Sequence, residues 1–188
     1  MGVTAVVLAA GSSRRFGSPK QLFDLGGESL VRRAARTALQ VAPTIVVIPD
    51  MTSGFVALAT SMAIREALSG LGVKIVENPE AAEGMASSIR VGVRSCEGDV
   101  LITVCDQPHV TSSHLSALLQ SGAPITATSY ADTAGVPAFF SASFRDELLE
   151  LRGDRGAKAL FERHADIVKL IPLPGAAMDI DLPSDAGL

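Results

Sequence analysis

Cysteine and histidine are scarce in this chain of 188 residues, and an excess of positive charge is missing altogether. The two cysteines, Cys96 and Cys105, supply neither the count nor the spacing of a zinc site or a disulfide framework. They read as buried thiols of a reducing compartment. His109, His114 and His164 stand alone, without metal-ligand spacing, and are expected at the surface or at helix caps. No serine lies in a nucleophile elbow and no Cys–His pairing is suggested, so a covalent mechanism is not expected. Lys+Arg 16 against Asp+Glu 20 gives a net charge of −4, which argues against broad attraction to nucleic acid. No apolar run approaches the ~20 residues of a membrane helix, and no signal-peptide flanks open the sequence. A soluble, cytoplasmic protein without nucleic-acid or membrane partners is the expectation.

What is present is a core. Apolar residues make up 47% and charged residues 19%, enough for one domain spanning 1–188. Short β-branched runs recur at 3–8, 44–48, 73–76, 100–104 and 125–128. Between them the spacing is helical: Leu30, Ala34 and Ala38 share one face, and Val56, Ala59, Ala63 and Ala67 another. Further strands are expected at 137–140 and 167–170, and helices at 143–151 and 156–164. Strand–helix alternation predicts an α/β domain: three layers, doubly wound, with a mostly parallel sheet. Ligands of such sheets bind beyond the carboxyl ends of the strands. Three unusual stretches fall there: "LAAGSSRRFGSPK" (8–20), "CDQP" (105–108) and "DID" (179–181).

The first of these packs glycine and cations into one loop. Gly11 and Gly17 allow backbone amides to turn inward. A concavity of N–H groups binds phosphate oxygens, and Arg14, Arg15 and Lys20 would neutralise the remaining charge. The spacing is neither that of a Walker loop nor G-x-G-x-x-G. A solvated surface turn is the bland alternative; the position after the first strand favours phosphate.

Leu8, Ala9, Ala10, Gly11, Ser13, Arg15, Gly17 and Lys20 resemble the L-A-A-G-x-S-x-R-M-G-x-x-K signature of nucleotidyltransferases related to the molybdenum cofactor enzymes, with Phe16 in place of methionine. "EGMASSIRVGV" (83–93), "CDQP", "GVPAFF" (135–140), "GDRGAK" (153–158) and "DIDLPSD" (179–185) follow in that family's order, and look most like its cytidylyltransferase branch. In the last motif Leu182 and Ser184 depart from the usual threonine and acid.

The resemblance implies transfer of CMP from CTP to the phosphate of molybdopterin or its molybdenum form, with magnesium and release of pyrophosphate. Arg15 would hold the β and γ oxygens and Lys20 the region of the α-phosphate. Amides of Ala10, Gly11, Ser12 and Ser13 would complete the cradle, while Leu8 and Ala9 would meet the base through backbone groups. Asp106 and Asp181 would hold the metal, with Asp179 behind them. Read singly, each aspartate is equally a cap or a turn residue. Ser88 would touch the nucleotide, although "GMASS" also reads as a plain N-cap. Gln107, Gly135, Asp154, Arg155 and Lys158 would serve the acceptor; "GDRG" is alternatively a solvated helix-starting turn. Rival readings keep GTP as donor, another phosphorylated acceptor, or a non-catalytic carrier that hands cofactor to a molybdoenzyme or its maturation factor.

Overall fold

Alternation of β-branched runs with helical segments yields the layered arrangement that its order implies. The computed structural model describes residues 2–13, 16–130, 133–177 and 180. Its strands are β1 (Val3–Leu8), β2 (Thr44–Pro49), β3 (Lys74–Asn78), β4 (Asp99–Val104), β5 (Ile125–Tyr130), β6 (Thr133–Phe140) and β7 (Val168–Pro172). Its helices are α1 (Leu30–Leu39), α2 (Phe55–Ala67), α3 (Met85–Arg94), α4 (Ser112–Leu119), α5 (Arg145–Glu150) and α6 (Lys158–Arg163). The described residues form a seven-stranded sheet in the order β3-β2-β1-β4-β6-β5-β7. β6 runs antiparallel to β4 and β5; the other pairings are parallel.

Period-two alternation along each strand divides the core in two. Val6 and Leu8 of β1 join Ile45, Val47, Ile102 and Phe140 beneath α3, α5 and α6. Ala5 and Val7 join Val46, Ile48 and Leu101 beneath α1, α2 and α4. Gly92 brings α3 close to the sheet, since a Cβ there would overlap the Val6 side chain. β1 is the switch point: β2 and β3 lie on one side of it and β4 on the other. The crevice above its carboxyl end is where an open α/β sheet takes its ligand.

Two expectations require correction. α2 buries Thr60, Ser61 and Ile64, whereas Val56 is 74% exposed. Apolar residues surround this helix, so periodicity did not fix its phase; Ile64 and Leu68 did, by packing into the second core. His114 is likewise no surface residue. It is buried, its Nε2 lies 2.9 Å from Thr128 Oγ1, and burial pushes its pKa down. Thr128 gives its own hydrogen to the Pro137 carbonyl at 2.6 Å, so the imidazole is the donor in that contact. Cys105 is buried and Cys96 half-buried, with both thiols pushed up by desolvation. Among the described residues no helix is long and apolar enough to cross a membrane.

Candidate active site

The loop after β1 is shaped by a glutamine. Gln21, 1% exposed, donates through Nε2 to the carbonyls of Ala9 (3.1 Å) and Gly11 (2.5 Å), and its Oε1 accepts from the Ser13 hydroxyl at 3.1 Å. Ser13 Oγ in turn accepts from the Lys20 N–H at 3.0 Å. Pinning carbonyls on one side leaves amides for the other. The N–H groups of Ala10, Gly11, Ser12 and Ser13 have no backbone partner among the described residues. Ser13 adopts φ 50, a left-handed conformation rare outside glycine, and closes the turn by accepting from the N–H groups of Phe16 and Gly17. A run of amides without backbone partners is able to bind an anion.

Asp106 stands opposite, two residues beyond β4. Its Oδ2 lies 2.5 Å from Lys20 Nζ, with side-chain exposures of 16% for the lysine and 19% for the aspartate. The other oxygen, Oδ1, is buried without a hydrogen-bond partner among the described residues. A buried carboxylate oxygen left unpaired costs free energy unless something bonds it, and a divalent cation suits a hard anionic oxygen. Asp106 Oδ1 thus offers one ligand to such an ion; among the described residues no three His, Cys, Asp or Glu side chains gather as a full set. The Asp106 carbonyl accepts from the N–H of Ile180 at 3.0 Å, which fastens the chain before Asp181 to this strand end.

A cleft of about 600 Å³ opens over these groups. Residues 8–13, Phe16, Lys20 and Gln21 form one wall; Pro49, Ser53 and Ala57 extend it along the start of α2. Pro79, Ala81, Ala82, Gly84, Met85 and Ser88 form the facing wall, with Asp106 at the floor and Asp154 at the rim. A volume of this size suits a nucleotide-sized ligand.

The facing wall is held by one arginine. Arg90 of α3, 4% exposed, donates to Glu83 (2.7 and 2.5 Å), to Glu80 (2.8 Å) and to the carbonyl of Leu151 (2.8 Å). Glu83 also accepts from the N–H of Gly153 at 3.2 Å, and Ala86 N–H donates to the Gly153 carbonyl at 3.0 Å. Segment 80–86 is thus zipped to 151–154. Gly84, at φ 122, caps α3 against Asp154, and a Cβ there would overlap that carboxylate. Arg90→Ala takes a donor from the Leu151 carbonyl and loosens segment 80–86 from 151–154; a lower midpoint is expected in urea unfolding. The arginine's hydrogen bonds pull Glu83 down to about 2, against desolvation. A carboxyl depressed in the fold stabilises it above the ordinary carboxylate range and loses that stabilisation as pH falls toward 2. The acid limb of the stability curve should therefore flatten in Arg90→Ala.

The site gathers most of the expected nucleotide residues and disperses the acceptor set. Leu8, Ala9, Ala10, Gly11, Ser12, Ser13, Lys20, Ser88 and Asp106 all line the cleft. The Ala9 N–H is already committed to Val47, and its carbonyl accepts from Gln21 with one lone pair left. Arg14, Arg15, Asp179 and Asp181 lie outside the described residues. Of the acceptor candidates, Asp154 lines the cleft and the others do not. Gln107 is buried and donates to the Ala176 carbonyl at 3.0 Å, clamping the turn at Pro174–Ala177. Gly135 sits in β6, where a Cβ would run into the Tyr130 ring. Arg155 pairs with Glu162 at 2.7 Å on the exposed side of α6, and Lys158 is exposed on the same helix. Ser87 and Ser88 are not N-caps, because Gly84 holds that position. Gln21, Asn78 and Arg90 were not singled out from sequence; Asn78 ends β3, so the strand-end rule that found Asp106 also reaches it.

A loop of amides without backbone partners, a carboxylate and a cleft meet at the switch point of a doubly wound sheet, where such folds take their ligands. The model of the MobA-like NTP transferase domain matches residues 5–168, and the chain belongs to that family. It is accordingly a nucleotidyltransferase, with the fold of the nucleotide-diphospho-sugar transferases. The chain is 27% identical to the Purine catabolism protein PucB of Bacillus subtilis (strain 168), across 96% of this chain and 92% of that protein. A Probable molybdenum cofactor guanylyltransferase of Pelotomaculum thermopropionicum is 28% identical, over 57% of this chain and 46% of that one. The crystal structure of Rv0371c from Mycobacterium tuberculosis H37Rv superposes with a TM-score of 0.81 at 28% identity, covering 98% and 95% of the two chains. The same protein has also been crystallised in complex with manganese.

Proposed function

We propose that the protein transfers CMP from CTP to the terminal phosphate of a molybdopterin-type acceptor. An acceptor phosphate oxygen attacks the α-phosphorus; a new P–O–P bond forms, the α–β bridge breaks, and pyrophosphate leaves. A phosphate monoester has its second pKa at about 6, so the nucleophile is already ionised near neutral pH and no general base is obligatory. Positioning and charge neutralisation then supply the rate.

The observation that carries this reading is convergence: the amides of residues 10–13, Lys20 and Asp106 meet in one cleft at the switch point. The amides would take phosphate oxygens, and Lys20 would turn from Asp106 toward the α-phosphate, where charge builds in the transition state. Arg15 would take the β and γ oxygens by its fork. Asp106, joined by Asp181, would hold magnesium. That ion, when bound, neutralises triphosphate charge and steadies the leaving group. Ser88 would touch the nucleoside and Asp154 the acceptor.

The wording of "EGMASS" and "CDQP" favours CTP by resemblance. GTP is the second reading, favoured by the guanylyltransferase named among the relatives. Pyrophosphate release with each of the four NTPs, with and without molybdopterin, tests both. The proposal predicts release with CTP that depends on molybdopterin and a divalent cation. Release with GTP alone of the four would transfer the argument to the second reading, and release unaffected by molybdopterin would refute the acceptor.

A further inference from the structure

Asn78 ends β3 with its entire side-chain amide committed. It is fully buried; Oδ1 accepts from the Glu80 N–H at 2.9 Å, while Nδ2 donates to Ser87 Oγ at 2.8 Å and Ser88 Oγ at 2.9 Å. The amide can face only one way, because a backbone N–H must meet its oxygen, which turns the NH₂ to the serines. Ser87, also fully buried, passes its own hydrogen to the Gly84 carbonyl at 2.8 Å. Its hydrogen-bonding is complete within the wall. Ser88 differs. Its Oγ accepts from Asn78, its hydrogen has no acceptor among the described residues, and its side chain lines the cleft.

A serine hydroxyl ordinarily rotates between donating and accepting. Here a buried donor occupies one lone pair, which leaves the hydrogen and the second lone pair of a residue that lines the cleft. We propose that Asn78 is a positioning residue that fixes Ser88 as a hydrogen-bond donor to the bound nucleotide. The proposal rests on the nucleotide reading of the cleft. The group that Ser88 meets is then an acceptor on the nucleoside half, such as a base carbonyl or an unprotonated ring nitrogen.

Asn78→Asp tests this with almost no change of shape. The carboxylate still accepts from Glu80 N–H, but it cannot donate, so both serine hydroxyls turn their hydrogens onto it. Ser88 ceases to donate into the cleft. Calorimetric titration of the intact protein with CTP and with GTP should show about tenfold weaker binding of the preferred nucleotide, the worth of one hydrogen bond. KM for that nucleotide should rise likewise with kcat little changed. Ser88→Ala should match this loss, and the double variant should bind no more weakly than Ser88→Ala alone. A double variant weaker than Ser88→Ala means that the new charge acts directly and overturns the proposal; so does wild-type affinity in Asn78→Asp. Should Asn78→Asp fail to fold, Ser88→Ala decides, and unchanged affinity there overturns it. A wild-type protein that binds neither nucleotide would instead sink the underlying reading of the cleft.

Discussion

Asp106→Ala should lower metal-dependent turnover by at least about a thousandfold while leaving the protein folded. The loss exceeds that of a single transition-state hydrogen bond, typically 10²–10³, because one carboxylate is assigned both the ion and the orientation of Lys20. Stability should change little. The substitution removes the ion pair to Lys20 but also removes a buried carboxylate oxygen that has no hydrogen-bond partner among the described residues, and the two effects offset each other. Steady-state pyrophosphate release beside a thermal melt checks both halves. A collapsed melting curve would make Asp106 structural; a folded variant with near wild-type turnover would remove it from the chemistry.

Lys20→Ala should reduce turnover about 10²–10³-fold through kcat, with a different signature toward the ion. The loop is also held without the ammonium group: the Lys20 backbone N–H donates to Ser13 Oγ, and Gln21 holds the carbonyls of Ala9 and Gly11. Removing the cation deprives the α-phosphate region of its counter-charge. It also releases Asp106 from a 2.5 Å ion pair, so the carboxylate becomes a better ligand in the protein without nucleotide. Manganese titration followed by electron paramagnetic resonance should show binding at least as tight as wild type in Lys20→Ala and weaker in Asp106→Ala. Equal weakening in both variants would mean that the two side chains do not compete as argued.

Much of the frame was legible because it depends on local patterning. The β-branched runs fixed the strands to within a few residues, and the strand-end rule led from β1 and β4 to the loop and to Asp106. What the sequence hid depends on partners distant along the chain. Gln21 looks like an ordinary loop glutamine until its contacts with Ala9 and Gly11 are seen. Arg90 reads as a helix-surface cation; its partners are Glu80, Glu83 and a carbonyl 61 residues away. Gln107 was expected at the acceptor, yet it lies in the bend that follows β4 and turns inward to the Ala176 carbonyl. Arg155 and Lys158 belong to a motif whose glycines shape the turn while its charges face solvent. The phase of α2 was lost because its apolar residues encircle it.

Crystals grown with CTP and manganese, measured at the manganese absorption edge, test the central claim most directly. The account predicts an anomalous peak at about 2.0–2.2 Å from the Asp106 carboxylate, the distance expected for a small hard cation, with triphosphate oxygens on the amides of residues 10–13. A peak remote from Asp106, or a triphosphate bound away from that loop, would contradict it.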